Sequence, residues 1–144
     1  MKINVLALDG VFDTGLATVL DAFAIANELT AMLRRDSPRF DVAVTGVRRR
    51  VRTALGLGVP VAAAGLGKAP DLVIVPAIGC KMPAPLEHAL SRPDVRDGLA
   101  AVRAWADGGA FLAAACVGTF VLAEAGVLDG EEATTTWWVE PMFG

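Results

Sequence analysis

The chain has 144 residues, of which 54% are hydrophobic and 20% are charged, and its formal net charge is −3. This length and composition fit one domain with a sizeable apolar core and exclude a disordered chain. Two cysteines and one histidine exclude a disulfide-rich scaffold and a zinc module, so we predict no metal and no cofactor. The acidic balance argues against a nucleic-acid platform. We interpret the one basic cluster as a solvated turn; it comprises Arg48, Arg49, Arg50 and Arg52.

No stretch has the pattern of a membrane span or of a secretion signal. The longest run without a charge, 108–123, has 16 residues rich in glycine and alanine, whereas a span needs about 20 strongly apolar residues. The first ten residues, MKINVLALDG, lack a long apolar region and a cleavage site. We therefore expect a cytoplasmic protein with reduced thiols and no contact with a membrane.

The first half of the chain alternates strand and helix patterns. The apolar run 3–8 predicts a buried strand. An apolar stripe at helical spacing predicts a helix from about 13 to 35, with Arg34 and Arg35 in its last turn, and Pro38 stops it. Residues 40–47 alternate like a strand. Residues 51–64, with glycines and a proline inside, predict a short irregular hairpin at a sheet edge.

The second half continues this alternation. The clearest buried strand is 71–75, which Pro76 closes. The remaining predicted elements are helices over 83–90 and 94–107, a strand of small residues over 111–115, a helix over 119–125, a short strand over 133–136, and an unfinished element from residue 138 onward. Strands that alternate with helices and are continuous apolar runs are typical of an α/β sandwich with a mainly parallel sheet. We expect one domain over 1–144 that is truncated at its carboxyl end.

The segment 108–128, GGAFLAAACVGTFVLAEAGVL, carries the one motif with chemistry in it. A strand runs into Cys116 and a helix begins at once, with Ala114 two residues before the cysteine and Gly118 two after it. This is the spacing of a nucleophile elbow, a tight strand-to-helix turn that leaves no room for larger flanking side chains. The alternative is a buried structural cysteine, since free cysteine is among the most buried residue types.

The segment AACVGTFVLAEAGVLDGEEATTTWW resembles the ThiJ/PfpI superfamily, whose fold is similar to class I glutamine amidotransferases. It is most similar to the ThiJ/PfpI-like N-terminal domains of AraC/XylS-type transcription regulators. Their elbow reads Cys-small-Gly-x-Phe-x-Leu-Ala-x-x-Gly-Leu-Leu-Asp-Gly, followed by Ala-Thr-Thr-x-Trp. The positions that match are Cys116, Gly118, Phe120, Leu122, Ala123, Gly126, Leu128, Asp129, Gly130, Ala133, Thr134, Thr135 and Trp137. The stretches DGVFDTGLATVLDAFAIAN and DLVIVPAIG also resemble the family's first loop and helix and its oxyanion-loop strand.

The catalytic partners that the resemblance implies are substituted. Enzymes of the superfamily surround the cysteine with an acidic residue from the first loop and often with a histidine. The acidic position falls on Gly15, while Asp13 lies two residues earlier and would reach in from a different backbone position. The histidine position falls on Thr136, and Val117 rather than a histidine follows Cys116. We therefore expect a thiol with neither a base nor a positioned acid.

The loop after strand 71–75 holds the second cysteine. In the family this loop carries backbone donors of an oxyanion hole, and Gly79 fits that role. Cys80 would then lie near Cys116, either as a loop cysteine without a partner or as its redox partner. We interpret the only histidine, His88, as a surface or structural residue of a helix.

Two adjacent tryptophans, Trp137 and Trp138, would face opposite ways in a strand. We expect one of them in the core. The other, with Met142 and Phe143, would cover the pocket or a dimer surface. Core and edge packing is the role we favour for this pair.

The resemblance implies a flavodoxin-like three-layer sandwich that serves as the ligand-sensing, dimerising domain of an AraC-type regulator. Its helix-turn-helix domain would lie beyond residue 144 and would make the only contact with DNA. The other partners would be a small-molecule effector and a second copy. The expected pocket lies at the carboxyl ends of the strands around Cys116, lined by Asp13, Gly15, Gly79, Cys80, Val117 and Thr136.

Two other classes of function stay open from the residues. One is a cysteine-dependent enzyme of the same superfamily, a hydrolase, hydratase or glyoxalase-like protein. The other is a stand-alone stress or redox protein whose cysteine becomes oxidised. The family's acid and histidine positions discriminate the enzyme from a regulator. Both positions are substituted here, which argues against the enzyme.

Overall fold

The computed structural model describes residues 1–33, 39–64, 68–80 and 82–143. It contains seven strands within those ranges: β1 (Lys2–Leu6), β2 (Asp41–Gly46), β3 (Val51–Arg52), β4 (Gly58–Val59), β5 (Ala62–Ala63), β6 (Leu72–Val75) and β7 (Phe111–Ala114). The helices are α1 (Asp13–Met32), α2 (Pro83–Leu90), α3 (Pro93–Asp107) and α4 (Gly118–Glu124), and a 3-10 turn follows at Glu140–Met142. The helix and strand patterns of the sequence therefore predict most elements to within a few residues.

Five strands form a parallel sheet in the order β5-β2-β1-β6-β7. The chain moves outward from β1 to β2 and then returns to the other side of β1 with β6. The two short strands β3 and β4 pair antiparallel outside this sheet. The predicted hairpin at the sheet edge is thus confirmed for β3 and β4, whereas its last residues form β5 and pair with β2.

Helices cover both faces of the sheet, so the fold is the predicted three-layer sandwich. Successive side chains of β1 point to opposite faces of the sheet, as in any β-strand. Ile3 and Val5 pack with Leu16 of α1 on one face. On the other face, Leu6 packs with Val102 of α3 and with residues of α4. The sheet is therefore buried from both sides, which explains the continuous apolar strands.

The segment 133–136 is extended but belongs to no strand of the described chain, so the strand predicted there is wrong. A strand requires a neighbouring backbone, and here the hydroxyls of Thr135 and Thr136 instead bond to Cys116. The tryptophans follow in a turn, 81% exposed at Trp137 and 42% at Trp138. Neither lies in the core, contrary to prediction; the fully buried residue of this region is Val139.

Some predicted features lie outside the described residues, among them Arg34, Arg35 and Pro38 at the end of the first helix. The arginine turn is described, and Arg48, Arg49 and Arg50 are exposed there as predicted. In the described ranges, we find no helix with the length and apolarity that crossing a membrane requires.

Arg92, in the turn between α2 and α3, pairs with Asp94 at the start of α3 and also bonds to the loop that follows β1. Arg92 donates two hydrogen bonds to the carboxylate of Asp94, at 3.0 and 2.8 Å, and a third to the carbonyl of Asp9 at 2.6 Å. The Arg92 and Asp94 side chains are 26% and 14% exposed. Burial alone would raise the pKa of Asp94, but the hydrogen bonds and charge of Arg92 outweigh it and lower that pKa below its ordinary value. The pair therefore stabilises the fold when Asp94 is ionised.

We expect Asp94→Asn to reduce the free energy of unfolding by about 1.5–3 kcal/mol at pH 7, the range for a hydrogen bond to a charged group. A carboxyl with a depressed pKa contributes stability above its unfolded pKa, and that contribution is lost as the pH falls through the folded value. The difference from wild type should therefore shrink as the pH falls below the ordinary aspartate pKa of about 3.9, in urea titrations run at pH 7 and in acid.

The control is Asp97→Asn, which breaks the exposed pair with Arg48 and should cost less than about 0.5 kcal/mol at either pH. An equal loss for Asp94→Asn at both pH values would contradict this account.

Candidate functional site

The turn between β7 and α4 has the geometry of a nucleophile elbow. Cys116 has φ +54°, and among the described residues no other non-glycine residue has a positive φ. This left-handed conformation is strained for a residue with a side chain and clusters at functional sites. The thiol is free and exposed. The prediction of an elbow is confirmed, and the alternative of a buried structural cysteine is not.

A close approach of backbones requires the glycine of the elbow. A Cβ atom at Gly118 would lie 2.3 Å from the Val75 carbonyl oxygen and 2.9 Å from that of Pro76. No side chain fits at these distances, so α4 starts directly against the end of β6. The small residue two positions after the cysteine is therefore a steric requirement.

Three hydrogen bonds hold the carbonyl of Cys116. The Thr119 hydroxyl donates to it at 2.7 Å and the Thr119 amide at 3.2 Å, while the Thr135 hydroxyl donates at 3.2 Å from the C-terminal region. These bonds fix the peptide that follows the strained residue. They also attach the extended segment 133–136 to the elbow.

The sulfur of Cys116 lies 2.7 Å from the hydroxyl oxygen of Thr136. Thr136 occupies the position where the resembled enzymes carry a histidine. A threonine hydroxyl donates or accepts one hydrogen bond here, but it does not take up a proton near neutral pH. The structure thus joins Cys116 and Thr136, as the sequence predicted, and sets a hydroxyl rather than a base against the thiol.

The first loop directs its acidic residue toward the hairpin. One carboxylate oxygen of Asp13 accepts a hydrogen bond of 3.1 Å from the Leu55 amide, and the other is buried without a hydrogen-bonding partner in the described structure. Gly15 lies within the first turn of α1, where a Cβ would contact the ring of Phe12 at 3.2 Å. These contacts tie Asp13 to the hairpin. They do not support the acid role for which it was a candidate.

The loop after β6 is bonded to the first loop. The Gly79 amide donates to the Gly10 carbonyl at 2.7 Å, and the Phe12 amide donates to the Ala77 carbonyl at 2.8 Å. The Gly79 proton is therefore engaged within the protein, and the oxyanion-donor role predicted for it is not supported. Its lack of a side chain serves another purpose, because a Cβ would lie 2.3 Å from that of Ala54.

Cys80 and Val117 meet in one apolar cluster. Val117 is fully buried there with Leu86 and Phe120, and half-buried Cys80 packs against the same cluster. Neither cysteine forms a disulfide in the described structure, and the two alternatives for Cys80, a loop cysteine without a partner or a redox partner of Cys116, both stay open. His88 is exposed on α2, which agrees with its interpretation as a surface residue.

A large groove lies away from the elbow. It measures about 1000 Å³ and runs between the carboxyl end of α1 and the amino end of β2, beside Asn27, Phe40 and Asp41. Asn27 is used structurally, because its amide exchanges two hydrogen bonds of 2.9 Å with the backbone of Phe40. Since Cys116 lies at the carboxyl end of the strands, this groove is not part of the elbow.

Sequence reasoning missed Thr119 and Thr135 as residues of the site. Thr135 belongs to the matched Ala-Thr-Thr pattern, so the resemblance offered a signal for it. Thr119 lies three residues after the cysteine, a spacing at which a threonine hydroxyl commonly reaches a backbone carbonyl in a first helical turn. That spacing was the available signal for Thr119.

Solved structures with the same architecture include both regulators and ThiJ/PfpI-type proteins. A protein from Vibrio parahaemolyticus, named as a candidate transcriptional regulator, is 21% identical, with a TM-score of 0.75, and the match covers 100% of this chain and 71% of that one. An AraC family transcriptional regulator from Pseudomonas putida is 23% identical, with a TM-score of 0.70 and coverage of 99% and 70%.

A third structure, a two-domain protein from Anabaena variabilis with DJ-1/ThiJ/PfpI-like and ferritin-like domains, is 21% identical. Its TM-score is 0.68, and the match covers 99% of this chain and 37% of that chain. No family model and no curated protein matches the sequence. The chain therefore has the flavodoxin-like fold of DJ-1/ThiJ/PfpI proteins, and the resemblance seen in the sequence is confirmed at the level of the fold.

We expect Gly118→Ala to destabilise the protein by at least about 2 kcal/mol, because the new methyl group overlaps backbone carbonyls that cannot move independently of the sheet. The matched control is Gly58→Ala, where a Cβ has nothing within 4 Å and φ is not positive. Urea unfolding of both variants measures the difference. Equal stability of the two variants would contradict the steric role of Gly118.

Proposed function

We propose that this chain is the ligand-sensing and dimerisation domain of a cytoplasmic AraC-type transcription regulator. In this proposal a small-molecule effector acts at the carboxyl edge of the sheet near Cys116. DNA is contacted only through a helix-turn-helix domain in another part of the polypeptide. The solved AraC-family regulator with the same fold supports this class, and the substituted partners of Cys116 support a role in sensing rather than in catalysis.

The observation that carries the proposal is the hydroxyl of Thr136 against the sulfur at 2.7 Å. A nucleophilic cysteine enzyme needs a base that removes the thiol proton and an acid that protonates the leaving group. Thr136 supplies neither. The acidic candidate from the sequence, Asp13, is bonded to the hairpin at Leu55 through one carboxylate oxygen.

An enzyme is the second candidate, and the strained conformation of Cys116, with φ +54°, favours it. An exposed thiol on a strained elbow is the arrangement that cysteine-dependent members of the superfamily would use. The ThiJ/PfpI resemblance specifies the substrates to test: amides, isonitriles and methylglyoxal.

Steady-state kinetics with these three substrates separate the two candidates. We expect no Cys116-dependent kcat near the ordinary enzyme range of about 1 per second, because general acid–base catalysis typically contributes about 10²–10⁴-fold. The control is Cys116→Ser, which keeps the size of the side chain. A wild-type kcat of about 1 per second or more that Cys116→Ser abolishes would overturn the regulatory proposal in favour of the enzyme.

Self-association is the second part of the proposal. The outer face of α1 exposes Ile25, Leu29 and Met32, at 54%, 48% and 76%, an apolar stripe that a monomer would leave in water. We expect light scattering to show a dimer at about tens of micromolar, where an interface of standard size should hold. We expect Ile25→Glu to shift the protein toward monomer, and Phe111→Glu, also at an exposed position, to leave the dimer intact. A wild-type monomer at that concentration would contradict the proposal.

A further inference from the structure

The C-terminal strap, residues 131–143, is attached to the rest of the protein at two places. At its far end Val139 is fully buried, and Met142 and Phe143 pack in the same cluster. The ring of Phe143 contacts that of Phe120 on α4, with centroids 5.2 Å apart. At its near end the attachment is polar, through threonine hydroxyls that bond to Cys116. The two tryptophans lie between these attachments and are exposed.

Three consecutive threonines of the strap have different partners. The Thr136 hydroxyl contacts the Cys116 sulfur at 2.7 Å, and the Thr135 hydroxyl donates to the Cys116 carbonyl at 3.2 Å. The Thr134 hydroxyl stays within the strap and reaches the Thr135 carbonyl at 3.5 Å. Two of the three side chains therefore tie this segment to one residue.

We propose that Thr136 is a positioning residue that couples the chemical state of the Cys116 thiol to the conformation of the C-terminal strap. The inference rests on the proposed function in one respect: it describes how the sensing site would communicate with the rest of the chain. A substituent on the sulfur would occupy the space of the hydroxyl contact. A thioether sulfur is also only a weak acceptor, so of the two threonine hydroxyls that bond to Cys116 only that of Thr135 would keep its contact.

Iodoacetamide is a probe that places a substituent of known structure on the Cys116 sulfur. The sulfur of Cys116 attacks the methylene carbon, the S–C bond forms and the C–I bond breaks. Iodide leaves with the bonding electrons, and the thiol proton passes to the buffer. Work in a Cys80→Ser background confines the reaction to Cys116, and mass spectrometry counts one adduct.

Chymotrypsin, which cleaves after tryptophan, measures opening of the strap at Trp137 and Trp138. Loss of one net hydrogen bond should raise the rate of this cleavage about two- to tenfold, because cleavage follows the population of the open strap. Acrylamide quenching of tryptophan fluorescence is the second readout. Trp105 is buried, at 4% exposure, and contributes little to the change.

The decisive comparison combines alkylation with removal of the hydroxyl. We expect Thr136→Val to raise cleavage to the level of the alkylated parent, and alkylation of Thr136→Val to raise it no further. Thr136→Ser, which keeps the hydroxyl, should behave like the parent. Thr134→Val is the matched control, because Thr134 lies two residues earlier in the same segment and does not bond to Cys116. It should also behave like the parent.

Circular dichroism excludes global unfolding as the source of the cleavage. Full additivity of alkylation and Thr136→Val, or no effect of either, would overturn the coupling while leaving the sensor proposal standing. Conversely, Cys116-dependent turnover would overturn the sensor proposal and leave the measured coupling intact. The two failures are therefore distinguishable.

Discussion

The contact between the start of α4 and the end of β6 is the constraint on which the site depends. A Cβ atom on Gly118 would lie 2.3 Å from the Val75 carbonyl oxygen, so α4 begins directly against the end of β6. The chain must therefore turn from β7 into α4 within a few residues. Cys116 absorbs that turn by adopting φ +54°. The cost of such a conformation, on the order of 1–3 kcal/mol, is offset by the packing of α4 and by the hydrogen bonds on the Cys116 carbonyl.

A second constraint joins the two loops that flank the crevice where ligands commonly bind in open α/β sheets. The strand order reverses between β1 and β6, and the loops after these strands would form the crevice walls. Here Gly79 and Phe12 join the two loops through backbone hydrogen bonds, and Arg92 ties the Asp9 carbonyl to Asp94. The Gly79 and Phe12 amides and the Asp9 carbonyl are thereby used within the protein, whereas one carboxylate oxygen of Asp13 stays buried without a hydrogen-bonding partner in the described structure.

The elbow and its surroundings combine two properties. The thiol is exposed on a strained turn, which favours reactivity, yet its contact is the neutral hydroxyl of Thr136. In the proposed sensor, a thiol in this setting serves stoichiometric events, such as ligand binding or covalent modification, rather than turnover. The attachment of the strap to the same residue gives such an event a route to the rest of the polypeptide.

The sequence by itself determined the helices and most strands, because apolar periodicity and the glycine and proline breaks are local properties of the chain. It also determined the elbow, since Gly118 and the small residues before Cys116 report a steric limit directly. Only the tertiary structure decided which residues meet the sulfur. The family motif predicts Asp13 and Gly79 beside the sulfur. In the structure Asp13 bonds to Leu55 and Gly79 bonds to Gly10, and both contacts link residues far apart in sequence. The segment 133–136 likewise has residues typical of a strand, but a strand needs a neighbouring backbone to pair with. In the structure its Thr135 and Thr136 hydroxyls bond to Cys116 instead.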